Sequence, residues 1–218
     1  MSTARADGVE LGSTFLSRSS VEVAPELLGR IVVHHSDDGP VAVRLTEVEA
    51  YSGPGDPGSH ARNGRTPRTA VMFGPPGHLY VYFSYGMHWC VNVVCAQDGT
   101  AAAVLLRAGE VVDGVELARA RRPAAKQDRD LARGPARLAA ALGLDRSADG
   151  SALGDRTLLL AGVPVPAERI RSGPRVGVSG PGGDGSVYPW RFWTDGDPTV
   201  SVYRPGVSRR RPARGAGS

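Results

Sequence analysis

Cysteine is scarce in this chain: Cys90 and Cys95 are the two among 218 residues. They lie five positions apart around one strand-like run, where side chains alternate faces, so they read as buried thiols rather than a disulfide, metal pair or redox centre. No uninterrupted stretch reaches the ~18 apolar residues that a bilayer crossing needs, although 41% of the residues are apolar. Residues 1–8 have no apolar run behind Arg5 and do not read as a signal peptide. A cytoplasmic location is expected. Nucleotide fingerprints are missing too: Gly53-Pro54-Gly55 and Gly177-Val178-Ser179-Gly180 lack the Rossmann spacing, and no Walker-type Gly-Lys-Ser/Thr occurs. The five histidines include no His-Glu-x-x-His pattern, so neither metal nor cofactor is expected. A Gly-x-Ser-x-Gly nucleophile elbow is also absent.

Positive charge is present in excess and unevenly placed. Arg204, Arg209, Arg210, Arg211 and Arg214 crowd the C-terminus without an acid, and removing them takes the formal charge from +4 to about −1. Within the body, Arg119, Arg121, Arg122, Lys126, Arg129, Arg133 and Arg137 face only Asp128 and Asp130 locally. A second cluster, Arg62, Arg65 and Arg68, follows His60. A solvated arginine-rich surface would explain these groups; so would a polyanion such as DNA.

A chain of this length suits one sizeable core. The pattern predicts an α+β single domain, a curved and mostly antiparallel open-barrel-like sheet with packed helices. Residues 1–13 are expected to be a flexible segment, 14–204 the domain, and 205–218 a flexible basic tail. Residues 24–29 read as a short helix with Pro25 near its start and Gly29 as its stop. Strand-like runs follow at 30–35, 41–50, 79–83, 88–95, 101–107 and 156–160, with helices at 113–122 and 135–142. Residues 189–193 and 199–203 are expected to close the domain. Residues 52–70 are too rich in Gly, Pro and small polar residues for a regular element, and long loops of this kind carry function or disorder.

Chemistry concentrates where the 41–50 run meets that loop. Glu47, Glu49 and Tyr51 share one strand face, which holds more charge than an ordinary core accepts. For Glu47 a structural salt bridge is the expected role. The aromatic run 80–89 can form an opposite wall, with Tyr80 and Tyr82 on one face and Tyr85 just past the strand end. Tyr80 and Trp89 are expected to pack the sheet, and His78 and His88 to be structural or surface groups. A carboxylate beside stacking rings and basic surface can activate water and stabilise a cationic sugar during N-glycosidic cleavage. Stacking a flipped base is worth about 1–3 kcal/mol per ring, similar to the few kcal/mol spent on extruding it.

Several long strings in order carry a specific resemblance. Val48-Glu49-Ala50-Tyr51 with His60, residues 72–87, Asn92, Val104-Leu105-Leu106-Arg107, Gly134-Pro135-Ala136-Arg137-Leu138, Arg175-Val176-Gly177-Val178 and Pro189-Trp190-Arg191-Phe192 resemble the alkyladenine (methylpurine) DNA glycosylase family. The resemblance spans nearly all of residues 14–204. It implies a bacterial, monofunctional, monomeric enzyme of the cytoplasm and nucleoid that acts on double-stranded DNA containing damaged purines. Such an enzyme flips the alkylated or deaminated purine and hydrolyses its bond to deoxyribose. By the same resemblance, Glu49 is the general base that positions water, helped by Arg107 and the backbone carbonyl of Val178. Tyr51, His60 and Tyr82 contact or sandwich the base, and Asn92 disfavours guanine through its exocyclic amine. Tyr85 enters the duplex in place of the base, with Met87 beside it. The hairpin before Arg107 looks slightly longer than in the family, so the assignment of Arg107 rests on the Val-Leu-Leu-Arg string.

Two other readings differ in what they predict. A nucleic-acid binder without catalysis would bind and release no free base. A small-molecule nucleosidase would act on free nucleosides with little salt dependence, whereas DNA binding weakens steeply with salt. No lysine stands in the aromatic run, which argues against a Schiff base and strand cleavage.

Overall fold

The computed structural model describes residues 8–84 and 86–207. Two helices, α1 (Ser13–Leu16) and α2 (Ser20–Glu26), precede the sheet. The second begins earlier than the sequence pattern suggests. Ser19 and Glu22 close a reciprocal capping box that sets its start at Ser20, and Pro25 falls in its last turn. The described part of the expected loose N-terminal segment, residues 8–13, includes a bridge from Glu10 to Leu160 and a hydrogen bond from Leu11 N–H to the Leu159 carbonyl.

Eight strands follow. They are β1 (Ile31–Ser36), β2 (Gly39–Ser52), β3 (Leu79–Ser84), β4 (His88–Val94), β5 (Ala102–Asp113), β6 (Thr157–Leu160), β7 (Ile170–Gly173) and β8 (Arg191–Thr194). The main order is β3-β4-β5-β2-β1-β6, with β8 joining β2 and β7 joining β8, and every ladder is antiparallel. The α+β, mostly antiparallel expectation holds.

The long strand β2 organises the rest. One of its edges pairs with β5 along its length; the other pairs with β1 near its start and with β8 at Glu47, Val48 and Glu49. Its carboxylates therefore sit in the middle of the sheet. Helices α3 (Val115–Arg121) and α4 (Pro135–Leu142) pack beside each other, and α4 lies against β4 and β5. Pro135 suits the first turn because its missing N–H would lack a helical partner there, and Gly143 at φ +79° ends the helix. Leu138 and Leu142 are fully buried beneath it, each contributing about 1.5–3 kcal/mol from removal of apolar surface.

Near the C-terminus one expectation needs correction and one strand was not expected. Residues 199–203 alternate like a strand but join no ladder, because the Ser201 N–H donates to the buried Glu47 carboxylate at 2.7 Å instead of to a neighbouring strand. Strand β7 was invisible to pattern because Arg171 and Ser172 are exposed at a sheet edge and give no apolar alternation.

Candidate active site

Glu47, Glu49 and Tyr51 point to one side of β2, as the alternation predicts, and both carboxylates are fully buried. Their cation is Arg107 on β5. The β2–β5 register is the same at Leu45↔Gly109 and Val48↔Leu106, but Glu47 slips locally to Ala108, so Thr46 and Arg107 drop out of the ladder. Such irregularities re-aim side chains. Arg107 bridges the two acids, with Nε donating to Glu47 at 2.9 Å and Nη1 standing 3.3 Å from Glu49.

Glu47 is held on every side. Arg191 Nε donates to it at 2.7 Å, and Ser201 adds its backbone N–H and its hydroxyl at 2.7 and 3.0 Å. Burial, the largest influence, works to raise its pKa, but Arg107, Arg191 and Ser201 outweigh it and hold the carboxyl below the usual range. Glu47 is therefore the structural ion-pair residue the sequence suggests. Burial alone would lower the Arg107 pKa, yet Glu49 and Glu47 together raise it, so the guanidinium stays charged.

Glu49 has a different set of partners. The Tyr51 hydroxyl donates to Oε2 at 2.8 Å, and the Val176 backbone N–H donates to Oε1 at 2.6 Å. Burial and then Glu49 push the Tyr51 pKa well above that of a free phenol, which keeps the hydroxyl protonated as the donor. Tyr51 and Arg107 both reach a cavity of about 610 Å³, and His60, Tyr82 and Asn92 form other parts of its wall. Tyr82 stacks on Tyr80 with ring centroids 5.6 Å apart, and His60 meets Tyr82 edge-on at 4.6 Å. Asn92 is buried, with its amide donating to the Tyr80 carbonyl at 2.9 Å. Val178 lines the cavity while its carbonyl oxygen rests against Gly183 and Gly206, so Val176 supplies the backbone contact to Glu49.

The family model of methylpurine-DNA glycosylase matches residues 14–198. The chain belongs to the methylpurine-DNA glycosylase family. A DNA glycosylase is a hydrolase of N-glycosyl bonds and works in DNA repair. Three relatives, of Streptomyces avermitilis, Leifsonia xyli subsp. xyli and Burkholderia lata, each bear the name "Putative 3-methyladenine DNA glycosylase". The Streptomyces protein is 57% identical over 209 residues, covering 94% of this chain and 97% of its own. The Leifsonia protein is 53% identical over 191 residues, covering 85% and 89%. The Burkholderia protein is 46% identical over 197 residues, covering 89% and 92%.

The glycosylase thus gathers Glu49, Arg107, Tyr51, His60, Tyr82, Asn92 and Val178 around one cavity or directly behind it. Met87 stands apart at the β3–β4 hairpin tip, 67% exposed, and Phe83 is also exposed there. Tyr85 lies outside the described residues. The same is true of Arg209, Arg210, Arg211 and Arg214 in the expected basic tail. Among the described residues, no helix is long and apolar enough to cross a membrane. Both cysteines are buried free thiols, as expected.

One pair of residues escaped sequence reasoning altogether. Arg175 and Asp56 form a fully buried bidentate ion pair at 2.6 and 2.7 Å, and Arg175 also donates to the Ala50 and Gly182 carbonyls. Its guanidinium lies 4.6 Å from the Tyr51 ring centroid. The cation backs one face of Tyr51 and leaves the other to the cavity. Gly182 touches the Gly58 backbone, so a side chain there would push the two loops apart. The signal available in sequence was weak: an acid in a Gly/Pro loop and an arginine in a glycine-rich stretch far away.

The electrostatics of His60 give a direct expectation. Its ring opens to the cavity but is partly shielded from bulk water; that desolvation, followed by Arg68 and Arg62, pushes its pKa down to about 4. His60 is therefore neutral at physiological pH and can donate or accept one hydrogen bond without bringing charge to a ligand. An NMR titration should show its imidazole charging near pH 4 rather than near the usual 6.5. A normal midpoint would remove the neutral-imidazole assignment.

Proposed function

We propose that this chain is a monofunctional DNA glycosylase that flips an alkylated or deaminated purine out of duplex DNA and hydrolyses its bond to deoxyribose. The product is the free base and an abasic site. One arrangement supports this reading above all: the buried Glu49 carboxylate, with Tyr51 and Arg107 reaching from it to the aromatic cavity. The cavity volume falls within the ~300–1,000 Å³ common for small-molecule sites.

A carboxylate offers about four acceptor positions. Tyr51, Val176 and Arg107 engage three on Glu49, which leaves capacity to accept a proton from water. In the proposed reaction the water oxygen bonds to the anomeric carbon as its bond to the purine nitrogen breaks. Glu49 takes the water proton, and the electron pair leaves with the base. Arg107 orients the carboxylate, and the backbone carbonyl of Val178, a residue of the cavity wall, is the second acceptor for the water in this proposal. Tyr51, His60 and Tyr82 hold the base, and Asn92 crowds a guanine amino group. A base alkylated on a ring nitrogen is already cationic and departs readily. Neutral hypoxanthine must be protonated and reacts more slowly.

The exposure of Met87 supports a wedge role at the hairpin tip, since apolar side chains inserted between base steps offset part of the unstacking cost. For Tyr85 the wedge role rests on the resemblance of its sequence motif. We place the enzyme with the DNA in the cytoplasm and nucleoid, acting as a monomer. The residues lining the cavity include no lysine, which fits release without strand scission.

Duplexes carrying single 3-methyladenine, 7-methylguanine, hypoxanthine or ethenoadenine lesions test the proposal under single-turnover conditions. Free base should appear while the strand stays intact until the abasic site is cleaved chemically. Absence of free base from every duplex, or a borohydride-trapped enzyme–DNA adduct, would sink the monofunctional glycosylase reading.

A further inference from the structure

Helix α4 borders two depressions. Pro135, its first residue, lines the aromatic cavity, while Ala136 and Arg137 line a separate cleft of about 580 Å³. Strand β4 is shared in the same way: Cys90 faces the cavity and His88 the cleft. The cleft therefore lies next to the cavity.

Seven basic residues between positions 119 and 137 look interchangeable in sequence. The fold separates them. Arg119 is bound to Asp128 and Glu116, each by its guanidinium. Arg121 donates to the Ala141 and Leu142 carbonyls and stands 3.5 Å from Asp38. Arg133 donates to the Val200 carbonyl and lies 3.7 Å from Asp130. These three are engaged within the protein.

Arg122, Lys126 and Arg137 line the cleft together with His88, and among the described residues none of them has a carboxylate partner. Arg122 spends one N–H on the Leu131 carbonyl at 3.2 Å. The one acid on the cleft wall, Asp130, is the partner of Arg133. Burial, and then the neighbouring Arg137 cation, both disfavour the charge on Arg122. Cations converging in a concavity without local compensation are stabilised by an anion that enters it.

We propose that this cleft binds the phosphodiester backbone of the duplex that presents its damaged base to the neighbouring cavity. The inference rests on the glycosylase reading and adds a second point of attachment to it. Arg122, Lys126 and Arg137 supply cationic N–H donors that phosphate oxygens accept, so in this attachment they fix the position of the duplex rather than its sequence. Arg119, although it belongs to the same sequence cluster, is not part of the attachment.

Fluorescence anisotropy with an undamaged duplex across a NaCl series tests this, since each phosphate contact contributes about 0.9 to the slope of log K against log salt. Lys126→Ala/Arg137→Ala should bind more weakly than wild type and flatten the slope by about 1–2, and Arg122→Ala by about 1. Arg119→Ala should keep both the wild-type slope and wild-type base release. Because Arg122 also holds the Leu131 carbonyl, melting curves accompany the series, and the surface double variant decides if Arg122→Ala does not fold. Wild-type slopes in the cleft variants overturn the proposal, as does an equal flattening in Arg119→Ala, which would indicate general charge rather than a cleft. The same wild-type preparation is assayed on a hypoxanthine duplex. Base release with unaltered variant slopes removes the cleft alone; no release removes the glycosylase reading.

Discussion

Glu49→Gln is expected to slow single-turnover release of hypoxanthine from duplex DNA by about 10²–10⁴-fold, the usual contribution of a positioned general base. Duplex affinity should remain at the wild-type level. The substitution keeps the shape of the side chain, and Oε1 can still accept the Val176 N–H. Arg107 keeps its bond to Glu47 at 2.9 Å, so the sheet retains its central cation in place. What disappears is the anion that takes a proton from water. A cationic alkylated base should suffer a smaller loss than hypoxanthine, because its departure requires less help from the attacking water. Rapid-quench release of each base, alongside anisotropy binding of the same duplexes, measures both effects. Wild-type rates on hypoxanthine would eliminate Glu49 as the base.

The largest stability effect is expected at Asp56. Replacing it by alanine strands the Arg175 guanidinium in a fully buried site, and breaking a buried pair in this way costs about 3–5 kcal/mol. For a chain of this size that corresponds to a fall of roughly 6–20 °C in Tm. Arg175 already has one buried nitrogen, Nε, without a partner, so it has little reserve bonding to compensate. The loss should reach the cavity as well. Arg175 backs the Tyr51 ring, and a guanidinium that shifts would loosen the wall that faces the base. Asp56→Asn, which keeps the hydrogen-bonding shape without the charge, should lie between wild type and alanine. Calorimetric melting of the three proteins decides the point; an alanine variant that melts with wild type would show that the pair contributes nothing.

Much of the framework was legible because it depends on local rules. Alternation along 41–50 placed Glu47, Glu49 and Tyr51 on one face, and the structure keeps them there. Pro135 and Gly143 marked the ends of α4. Where local signals conflicted, the pattern misled: Pro25 suggested a helix start, but the capping box at Ser19 fixed it earlier. The alternation at 199–203 suggested a strand, but a buried carboxylate claimed the Ser201 N–H that a ladder would have used.

The chain's own order of residues determined most of the strands, the face that carries the acids, the aromatic hairpin and the family to which they belong, since each is written in short-range periodicity or contiguous strings. Tertiary structure alone decided that Arg107 spans both carboxylates, that Arg175 reaches across 119 positions to Asp56, and which basic residues beside the cavity have no acidic partner among the described residues. Those outcomes depend on desolvation and charge pairing between residues far apart in the chain. Such forces act only after folding brings the groups together, and they leave no periodic trace beforehand.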